Sequence, residues 1–264
     1  MRWLKGYTYL LFIVLLACST DSESEGNNTE PIEIEIKQLK TAFGTGGDVD
    51  FRAYFHYENN VLNKSSLIHG WIYDSYEIND QGKISSITRY DNGGGPPNQD
   101  VDFYDEGNFD GEQSVEEYEW LSGTSFLKSG KTYNVDEHGR LISLNCGGQY
   151  CETINIYYSD ENIESVVYNE GESYQNIYTF EFDEGINPMF AMFKKYGFVE
   201  YINLGMYDYF FDFYYINNPT KIYKNGELEF TATYHYTDSR YPIQATYHRL
   251  ETGERGEIVF TYQD

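Results

Sequence analysis

Two stretches that align without a gap decide the fold, Tyr76-Glu-Ile-Asn-Asp-Gln-Gly-Lys-Ile-Ser-Ser-Ile87 and Tyr133-Asn-Val-Asp-Glu-His-Gly-Arg-Leu-Ile-Ser-Leu144. In each, an Asn or Asp is followed three residues later by Gly, then by a cation and an apolar residue. The Asn or Asp side chain accepts hydrogen bonds from the backbone that follows it, and Gly takes the positive φ of a type I turn with a G1 bulge. Both stretches are therefore predicted to be β-hairpins.

Alternation of apolar and polar residues marks further strands around these hairpins. The alternation runs through 51–57, 177–182, 228–236 and 258–262, and turn signals such as Asn225-Gly226 lie between such segments. A period of two is typical of half-buried antiparallel strands. The sequence predicts an all-β fold, a long antiparallel meander of hairpins that forms a strongly curved sheet or a soluble, barrel-like roll.

One segment breaks this pattern and predicts a short helix over 188–196. Asn187 is the expected N-cap, Pro188 the first helical residue, and Gly197 follows the last turn. The segment also ends with two lysines, which suit a helix C-terminus. Its Met and Phe side chains form an apolar face that we expect to pack in the core or to cover an open end of the sheet.

The amino-acid composition excludes several classes of protein. The 264 residues include 43 Asp and Glu against 18 Lys and Arg, which gives a formal net charge of −25. So acidic a chain is not drawn to nucleic acid or to anionic membrane surfaces. Aromatic residues make up 18% of the chain, which argues against a disordered acidic protein.

The first residues are predicted to be a lipoprotein signal peptide, residues 1–17. Arg2 and Lys5 precede an apolar run over 10–17 that is too short to span a bilayer as a helix. The run ends in Leu15-Leu16-Ala17-Cys18, which resembles the bacterial lipobox, in which the Cys is acylated and becomes the new N-terminus. The alternative is an ordinary signal peptide that is cleaved near a cysteine by coincidence.

Residues 18–31 are acidic and poor in apolar side chains, so they are predicted to be a disordered tether. Residues 32–264 then form a single antiparallel β domain. The acidic cluster after Cys18 resembles the surface-export signal of some Gram-negative lipoproteins. We expect a protein anchored by lipid to the outer membrane and facing the cell surface, with the periplasmic face as the alternative.

Two further cysteines, Cys146 and Cys151, are separated by a segment that contains Gly147-Gly148. In an oxidising envelope this pair is expected to form a disulfide across a hairpin tip. A metal site is the alternative, but it needs four ligands, and only His138 lies near in sequence.

A search for catalytic motifs finds no nucleophile elbow, zinc-protease motif or phosphate-binding loop. The acidic loop over 100–112 makes Asp100, Asp102 and Asp105 a weak calcium candidate. Its spacing fails the EF-hand register because Tyr104 stands where an oxygen ligand belongs, so a solvated acidic loop is the favoured interpretation. No cofactor and no enzymatic activity are expected.

The hairpin stretches look like YD-type repeats, and three further motifs carry a resemblance to one family. These are Asp183-Glu-Gly-Ile-Asn-Pro-Met189, Asn217-Asn-Pro-Thr220 and Tyr236-Thr-Asp-Ser-Arg-Tyr-Pro242. They resemble uncharacterised bacterial surface lipoproteins with a porin-like or rolled β-sheet domain of unknown function. The chain departs from that pattern at Arg240, where such turns carry Gly. The resemblance implies a fold and a location and supplies no chemistry.

The expected function is a non-enzymatic binding or interaction module, whose ligand is a glycan or an envelope protein. One alternative is a structural or assembly component of the envelope, and another is a hydrolase of extracellular polymer. A membrane-spanning barrel is disfavoured because acids such as Glu116, Glu117 and Glu119 crowd one strand-like segment.

Overall fold

The computed structural model describes residues 38–46, 51–59, 61–67, 72–91, 112–146, 153–196 and 216–263. All of them belong to the compact unit Ile36–Asp264. The predicted signal peptide (1–17) and tether (18–31) lie outside the described residues and stay predictions.

The described residues form seventeen strands and one helix. In chain order these are β1 (Leu39–Gly46), β2 (Phe51–Glu58), β3 (Val61–Leu67), β4 (Ile72–Ile78), β5 (Ile84–Asp91), β6 (Glu112–Glu117), β7 (Glu119–Ser122), β8 (Ser125–Lys128), β9 (Lys131–Val135), β10 (Leu141–Cys146), β11 (Ile154–Ser159), β12 (Asn162–Tyr168), β13 (Asn176–Ile186), α1 (Phe190–Tyr196), β14 (Asn217–Lys224), β15 (Glu227–Tyr236), β16 (Pro242–Arg249) and β17 (Arg255–Tyr262).

The strands form one antiparallel sheet in which sequence neighbours pair, and β17 returns to pair with β1. The β1–β17 register runs from Leu39 opposite Tyr262 to Gly46 opposite Gly256. Among the described residues the ladder is interrupted only between β6 and β7, which are separated by Tyr118. The sheet is therefore barrel-like and nearly closed, and the predicted all-β meander is confirmed.

Both hairpin turns that decide the fold have the predicted geometry. The Asn79 side-chain oxygen accepts from the backbone N–H of Gln81 and of Lys83, both at 3.0 Å, and Gly82 has φ of 74°. In the second turn, Asp136 accepts from the residues at the same two offsets, both at 2.9 Å, and Gly139 has φ of 81°. In each turn the N–H of the Asn or Asp donates to the carbonyl of the residue after the Gly, and the Gly N–H donates back to the Asn or Asp carbonyl, as a G1 bulge requires. A separate register shift follows one pair further along each ladder.

A contact that the sequence did not predict joins each of these hairpins to the next strand. Lys83 lies 5.0 Å from the ring centre of Trp120, and the Trp120 indole N–H donates to the Ile84 carbonyl at 2.9 Å. In the second hairpin, Arg140 lies 4.3 Å from the ring centre of Tyr158. The Tyr158 hydroxyl donates at 2.9 Å to the carbonyl of Leu141, the residue equivalent to Ile84.

The hairpin that precedes β17 carries a third version of this contact. The rings of Tyr241 and Tyr262 meet edge to face at 5.2 Å, and the Tyr262 hydroxyl donates to the Pro242 carbonyl at 2.7 Å. Tyr241 occupies the place of the cation in this turn. We call all three arrangements aromatic clamps, since each fixes the start of one strand to a ring on the next.

Alternate side chains of the sheet point into one hydrophobic core. Its buried members include Leu39, Phe55, Phe126, Phe230 and Phe260, which come from five different strands. Burial on this scale, at roughly 25 cal/mol per Å² of apolar surface, is the main stabilising term. The inner face of the sheet is therefore apolar.

The alternation over 228–236 predicts that every second residue of β15 is buried, and this is true of the middle of the strand but not of its ends. Phe230, Ala232 and Tyr234 are buried, whereas Leu228 and Tyr236 are each 36% exposed. The β14–β15 ladder shifts register beside Leu228, and the β15–β16 ladder shifts beside Tyr236. The first shift inserts an extra residue into β15 and turns Leu228 outward, whereas the second inserts its extra residue into β16 and leaves Tyr236 in phase with Tyr234, at the end of the strand.

The predicted helix forms, and its apolar side packs in the core. The Asn187 side chain accepts from the Met189 N–H at 2.8 Å, which is the bond expected of an N-cap, and the helix begins at Phe190 after one tight turn. Met189 and Met192 are buried members of the core. No helix among the described residues is long and apolar enough to cross a membrane.

We expect Gly82→Ala to lower the free energy of unfolding by about 1–2 kcal/mol, because an L-residue is strained at this positive φ. Gly123→Ala is the matched control, because Gly123 also lies in a hairpin turn but does not have a positive φ, and an added Cβ would meet open space. Urea unfolding of both variants measures the difference. Equal stability of the two would contradict the turn geometry.

Candidate functional site

The inner face of the sheet becomes polar in one sector, where β4 and β5 pair. Arg89 donates from Nε and Nη2 to the two carboxylate oxygens of Asp74, each at 2.8 Å. The two residues lie directly opposite each other in the ladder, and the Asp74 side chain is only 2% exposed. This is a paired geometry that makes an ion pair tolerable inside an apolar core.

A second ion pair lies on the next strands of the same sector. Lys128 Nζ is 3.0 Å from a Glu116 carboxylate oxygen and 5.2 Å from the ring centre of Tyr118. Nearby, the hydroxyl groups of Ser65 and Tyr76 are 2.6 Å apart and buried. We call the pairs Asp74–Arg89 and Glu116–Lys128, taken together, the inner ion pairs.

Burial decides the electrostatics of this sector. Desolvation raises the pKa of the Asp74 carboxyl, and the hydrogen bonds and charge of Arg89 partly offset that effect. Asp74 in turn raises the pKa of the Arg89 guanidinium, and burial raises the pKa of the Tyr76 hydroxyl well above its usual value. The Asp74 carboxylate therefore depends on Arg89 to remain charged in the core.

The same sector contains the interruption in the ladder. β6 pairs with β5 from Glu112 opposite Asp91 to Glu117 opposite Ser86, and the Tyr118 N–H continues this ladder by donating to the Ser85 carbonyl at 2.9 Å. Beyond Tyr118 the chain, now β7, pairs with β8 instead. Among the described residues, no strand pairs with the edge of β6 that faces away from β5.

A short hairpin causes this open edge. β8 ends at Lys128, and a turn at Ser129 and Gly130, with φ of 50° and 74°, sends the chain back as β9. Positive φ at both central residues is the type I′ geometry of a tight hairpin. Since Leu127 lies opposite Glu119, the hairpin turns back near the level of Tyr118 and does not extend along β6.

A groove of about 540 Å³ lies on the outer face over β5, between β4 and β6, on the side of β6 opposite the open edge. We call it the β6 groove, and it is lined by Glu77, Ser85, Ser86, Thr88, Val115, Glu117, Tyr118 and Glu119. Three of these side chains are carboxylates and none is a cation. Glu77 accepts a hydrogen bond from Ser86 at 2.8 Å, and Val115 is 55% exposed. The groove therefore offers negative charge, hydroxyl groups and one exposed apolar side chain.

A smaller polar and aromatic patch lies on the outer face of β11–β13. The Tyr157 hydroxyl and the Asn155 amide both donate to Glu170 Oε2 at 2.8 Å. Tyr157 is 43% exposed, and Tyr174, in the turn that follows Glu170, is 62% exposed. The bond to Glu170 raises the pKa of the Tyr157 hydroxyl, so this side chain remains a neutral donor.

The three motifs behind the family resemblance meet at one polar junction. The Asn218 amide donates to the Ile186 carbonyl at 3.3 Å and to the Tyr236 hydroxyl at 2.9 Å. Tyr236 donates to Asp183, and the Ile186 N–H donates to the Arg240 carbonyl at 2.8 Å. These bonds join β13, β14 and the β15–β16 turn, so the motifs fix the fold at this junction.

The predicted site residues fall mostly outside the described part of the chain. This holds for the lipidation site Cys18, for the calcium candidates Asp100, Asp102 and Asp105, and for Cys151. Cys146 ends β10, but its side chain is likewise not described, so the disulfide stays a prediction. Within the described ranges, no three His, Cys, Asp or Glu side chains are grouped so that they could hold a metal ion.

We expect Arg89→Met to lower the free energy of unfolding by about 3–5 kcal/mol at pH 7, because it leaves the Asp74 carboxylate buried and unpaired. The native-state pKa of Asp74 then lies further above its unfolded value of about 3.9, so the native state binds more protons between those two values. Stability therefore recovers as the pH falls, and the deficit is smallest below about pH 3.9.

Urea unfolding as a function of pH tests this expectation. The double variant Asp74→Leu/Arg89→Met removes both charges and should recover most of the stability at pH 7. Lys221→Met, which breaks the exposed pair with Glu181, is the matched control and should show a much smaller deficit, because both charges of that pair face solvent. A deficit of Arg89→Met that does not change with pH would contradict the assigned role of Asp74.

No family model matches the chain, and no curated protein matches it either. Among solved structures, a porin-like protein from Bacteroides vulgatus ATCC 8482 is similar with a TM-score of 0.40 and 10% identity, over 86% of this chain and 99% of that one. A porin-like protein from Bacteroides uniformis ATCC 8492 is similar with a TM-score of 0.35 and 13% identity, over 84% of this chain and 86% of that one.

Proposed function

We propose that this protein is a non-enzymatic binding module of the bacterial envelope, held at the outer membrane by lipid on Cys18, with the β6 groove as its binding face. The observation that carries the proposal is the polarity of the sheet. Its inner face is apolar, whereas its outer face carries charged side chains and, at β6, an exposed strand edge.

The outer face is suited to water. Glu181 on β13 accepts from Lys221 Nζ at 2.8 Å and from the Tyr223 hydroxyl at 2.5 Å, and all three side chains lie on the outside of the sheet. A membrane-spanning barrel needs an apolar outer band, and a Lys at the bilayer midplane costs about 2–4 kcal/mol. A water-facing barrel reaches the membrane only through an anchor, which is the role proposed for Cys18.

The β6 groove supports binding over catalysis by its lining. It contains carboxylates and hydroxyl groups but no His, the residue type that most often serves as the general base. On the other side of Val115 and Glu117, the edge of β6 that no described strand pairs with offers backbone hydrogen bonds, which are a common means of holding an extended partner. The carboxylates, hydroxyl groups and strand edge are suited to binding another polypeptide, so the favoured partner is an envelope protein.

Glycan binding is the second candidate, and the patch on β11–β13 favours it. Tyr157 and Tyr174 are exposed, and Asn155 and Glu170 lie beside Tyr157 as hydrogen-bonding groups. Aromatic rings next to amides and carboxylates are suited to sugar hydroxyl groups and ring faces. Loss of glycan binding in Tyr157→Ala, with the β6 groove intact, would favour this candidate.

The anchor is tested by fractionation of cells that produce wild type or Cys18→Ala. We expect wild type in the outer-membrane fraction and the variant in the soluble fraction, since two or more acyl chains give stable anchoring. Protease added to intact cells then distinguishes the cell surface from the periplasm. Membrane association of Cys18→Ala at the wild-type level would contradict lipid anchoring.

The binding face is tested with a photo-crosslinking amino acid at position 115 in the full-length protein. Val259, outward-facing on β17 and 40% exposed, is the matched control position. We expect one defined crosslinked species from position 115 and none from position 259. Crosslinks of equal yield from both positions, or from neither, would argue against the β6 groove as the binding face.

A further inference from the structure

We propose that the open edge of β6 takes up an extended, lysine- or arginine-bearing polypeptide segment as an added β-strand. This inference rests on the proposed binding function and names the chemistry of the partner. It combines two features of the same strand, the backbone edge of β6 that pairs with no strand among the described residues and the outward-facing carboxylate of Glu117 on that strand.

The phase of the β5–β6 ladder shows which backbone groups are available. The Tyr118 N–H bonds to Ser85, and the register continues without a shift to Glu112. In an antiparallel ladder, hydrogen-bonded and non-hydrogen-bonded pairs alternate. Gln113, Val115 and Glu117 therefore direct their N–H and C=O groups away from β5, toward the open edge.

The side chains of β6 also leave room for an added strand. Residues 113–117 are all exposed, unlike the half-buried strands elsewhere in the sheet. Val115 and Glu117 face the outer side and line the groove. Side chains of an added strand that face outward would lie beside these two residues, next to one apolar group and one carboxylate.

Charge selects the occupant. Glu117 faces outward next to the open edge, and the lining that it shares with Glu119 contains no cation, whereas Glu116 on the inner side is already bridged by Lys128. A cationic strand places opposite charges across the new ladder, and an acidic strand places like charges there. Pairing of β6 with β6 of a second copy is disfavoured for the same reason, since acids at an edge oppose self-association.

A glycan is the less suitable occupant of this groove. The aromatic residue in its lining, Tyr118, is 5% exposed and packs in the core, so it does not offer an open ring face for stacking. The unpaired N–H and C=O groups of a strand edge are matched in spacing by another polypeptide backbone.

The test uses the full-length protein purified in detergent and fluorescent seven-residue peptides. One peptide alternates Lys with Thr or Val, and its counterpart has Glu in place of every Lys. Fluorescence anisotropy at low salt should give an affinity about tenfold higher for the Lys peptide, and the difference should shrink as salt screens the charges. Equal affinity for both peptides would overturn the proposed charge selection.

A proline at position 115 tests strand addition separately from charge. Val115→Pro removes one N–H at the open edge and leaves the β5–β6 bonds in place, since proline is tolerated on edge strands. We expect about tenfold weaker binding of the Lys peptide, whereas Val115→Ala, which keeps the N–H, should bind within about threefold of wild type. Wild-type affinity in Val115→Pro would show that the peptide does not add as a strand.

Two N-methylated Lys peptides keep the test valid if Val115→Pro fails to fold. Methyl groups on one alternate set of peptide nitrogens face β6 and should abolish binding, whereas methyl groups on the other set should be tolerated. Equal effects of the two sets would refute strand addition.

The charge variant is Glu117→Gln/Glu119→Gln, which should bind the Lys peptide about five- to tenfold more weakly. Its matched control is Glu161→Gln/Glu164→Gln on the β11–β12 hairpin, two exposed acids outside the groove lining, which should leave the affinity unchanged. Specific crosslinking from position 115 without binding of the Lys peptide would reject this partner chemistry while leaving the proposed binding function in place.

Discussion

The rest of the structure depends on the pairing of the first strand with the last. β1 and β17 exchange ladder bonds along their length, and the hydroxyl groups of Thr41 and Thr261 add a contact at 2.6 Å. An apolar inner face is stable in water only if the sheet curves round and encloses it, and closure also removes two long strand edges that would otherwise template aggregation. Because the closing residues are separated by nearly the whole domain, their pairing is the least local contact in the fold and is expected to form late.

The aromatic clamps explain why the repeated motif has its residue pattern. Asn79 and Asp136 shape their turns, whereas the two residues after each Gly contact the neighbouring strand. The cation, Lys83 or Arg140, lies over an aromatic ring of that strand. The backbone carbonyl of the apolar residue that follows accepts a hydrogen bond from the same aromatic side chain. Each hairpin is thus fixed to its successor by a dispersion and cation–π contact together with one hydrogen bond. The repeat is accordingly a device for assembling a sheet from hairpins, and its presence carries no information about a ligand.

Local signals in the sequence were sufficient for the turns, the helix and most strand faces. The bonds of Asn79 and the cap at Asn187 lie within four residues of their donors, so the sequence pattern contains them. The outward orientation of Leu228 depends on a bulge that is set by pairing with β14, which no local pattern reveals. The sequence did not predict the β6 groove or the open edge for the same reason, since whether a strand lies at an edge depends on the length and pairing of its neighbouring strands.

The position of the open edge follows from the lengths of the two strands that flank β6 and β7. β6 and β7 are a single run of chain interrupted at Tyr118, with β5 along its first part and β8 along its second. The tight turn at Ser129 and Gly130 ends β8 too early to cover β6. On the inner side, Lys128, the last residue of β8, bridges Glu116 and covers Tyr118, so the core stays closed where the ladder is broken. The inner ion pair at this point therefore has a structural reason, because it allows the sheet to keep an exposed strand edge without opening its apolar core.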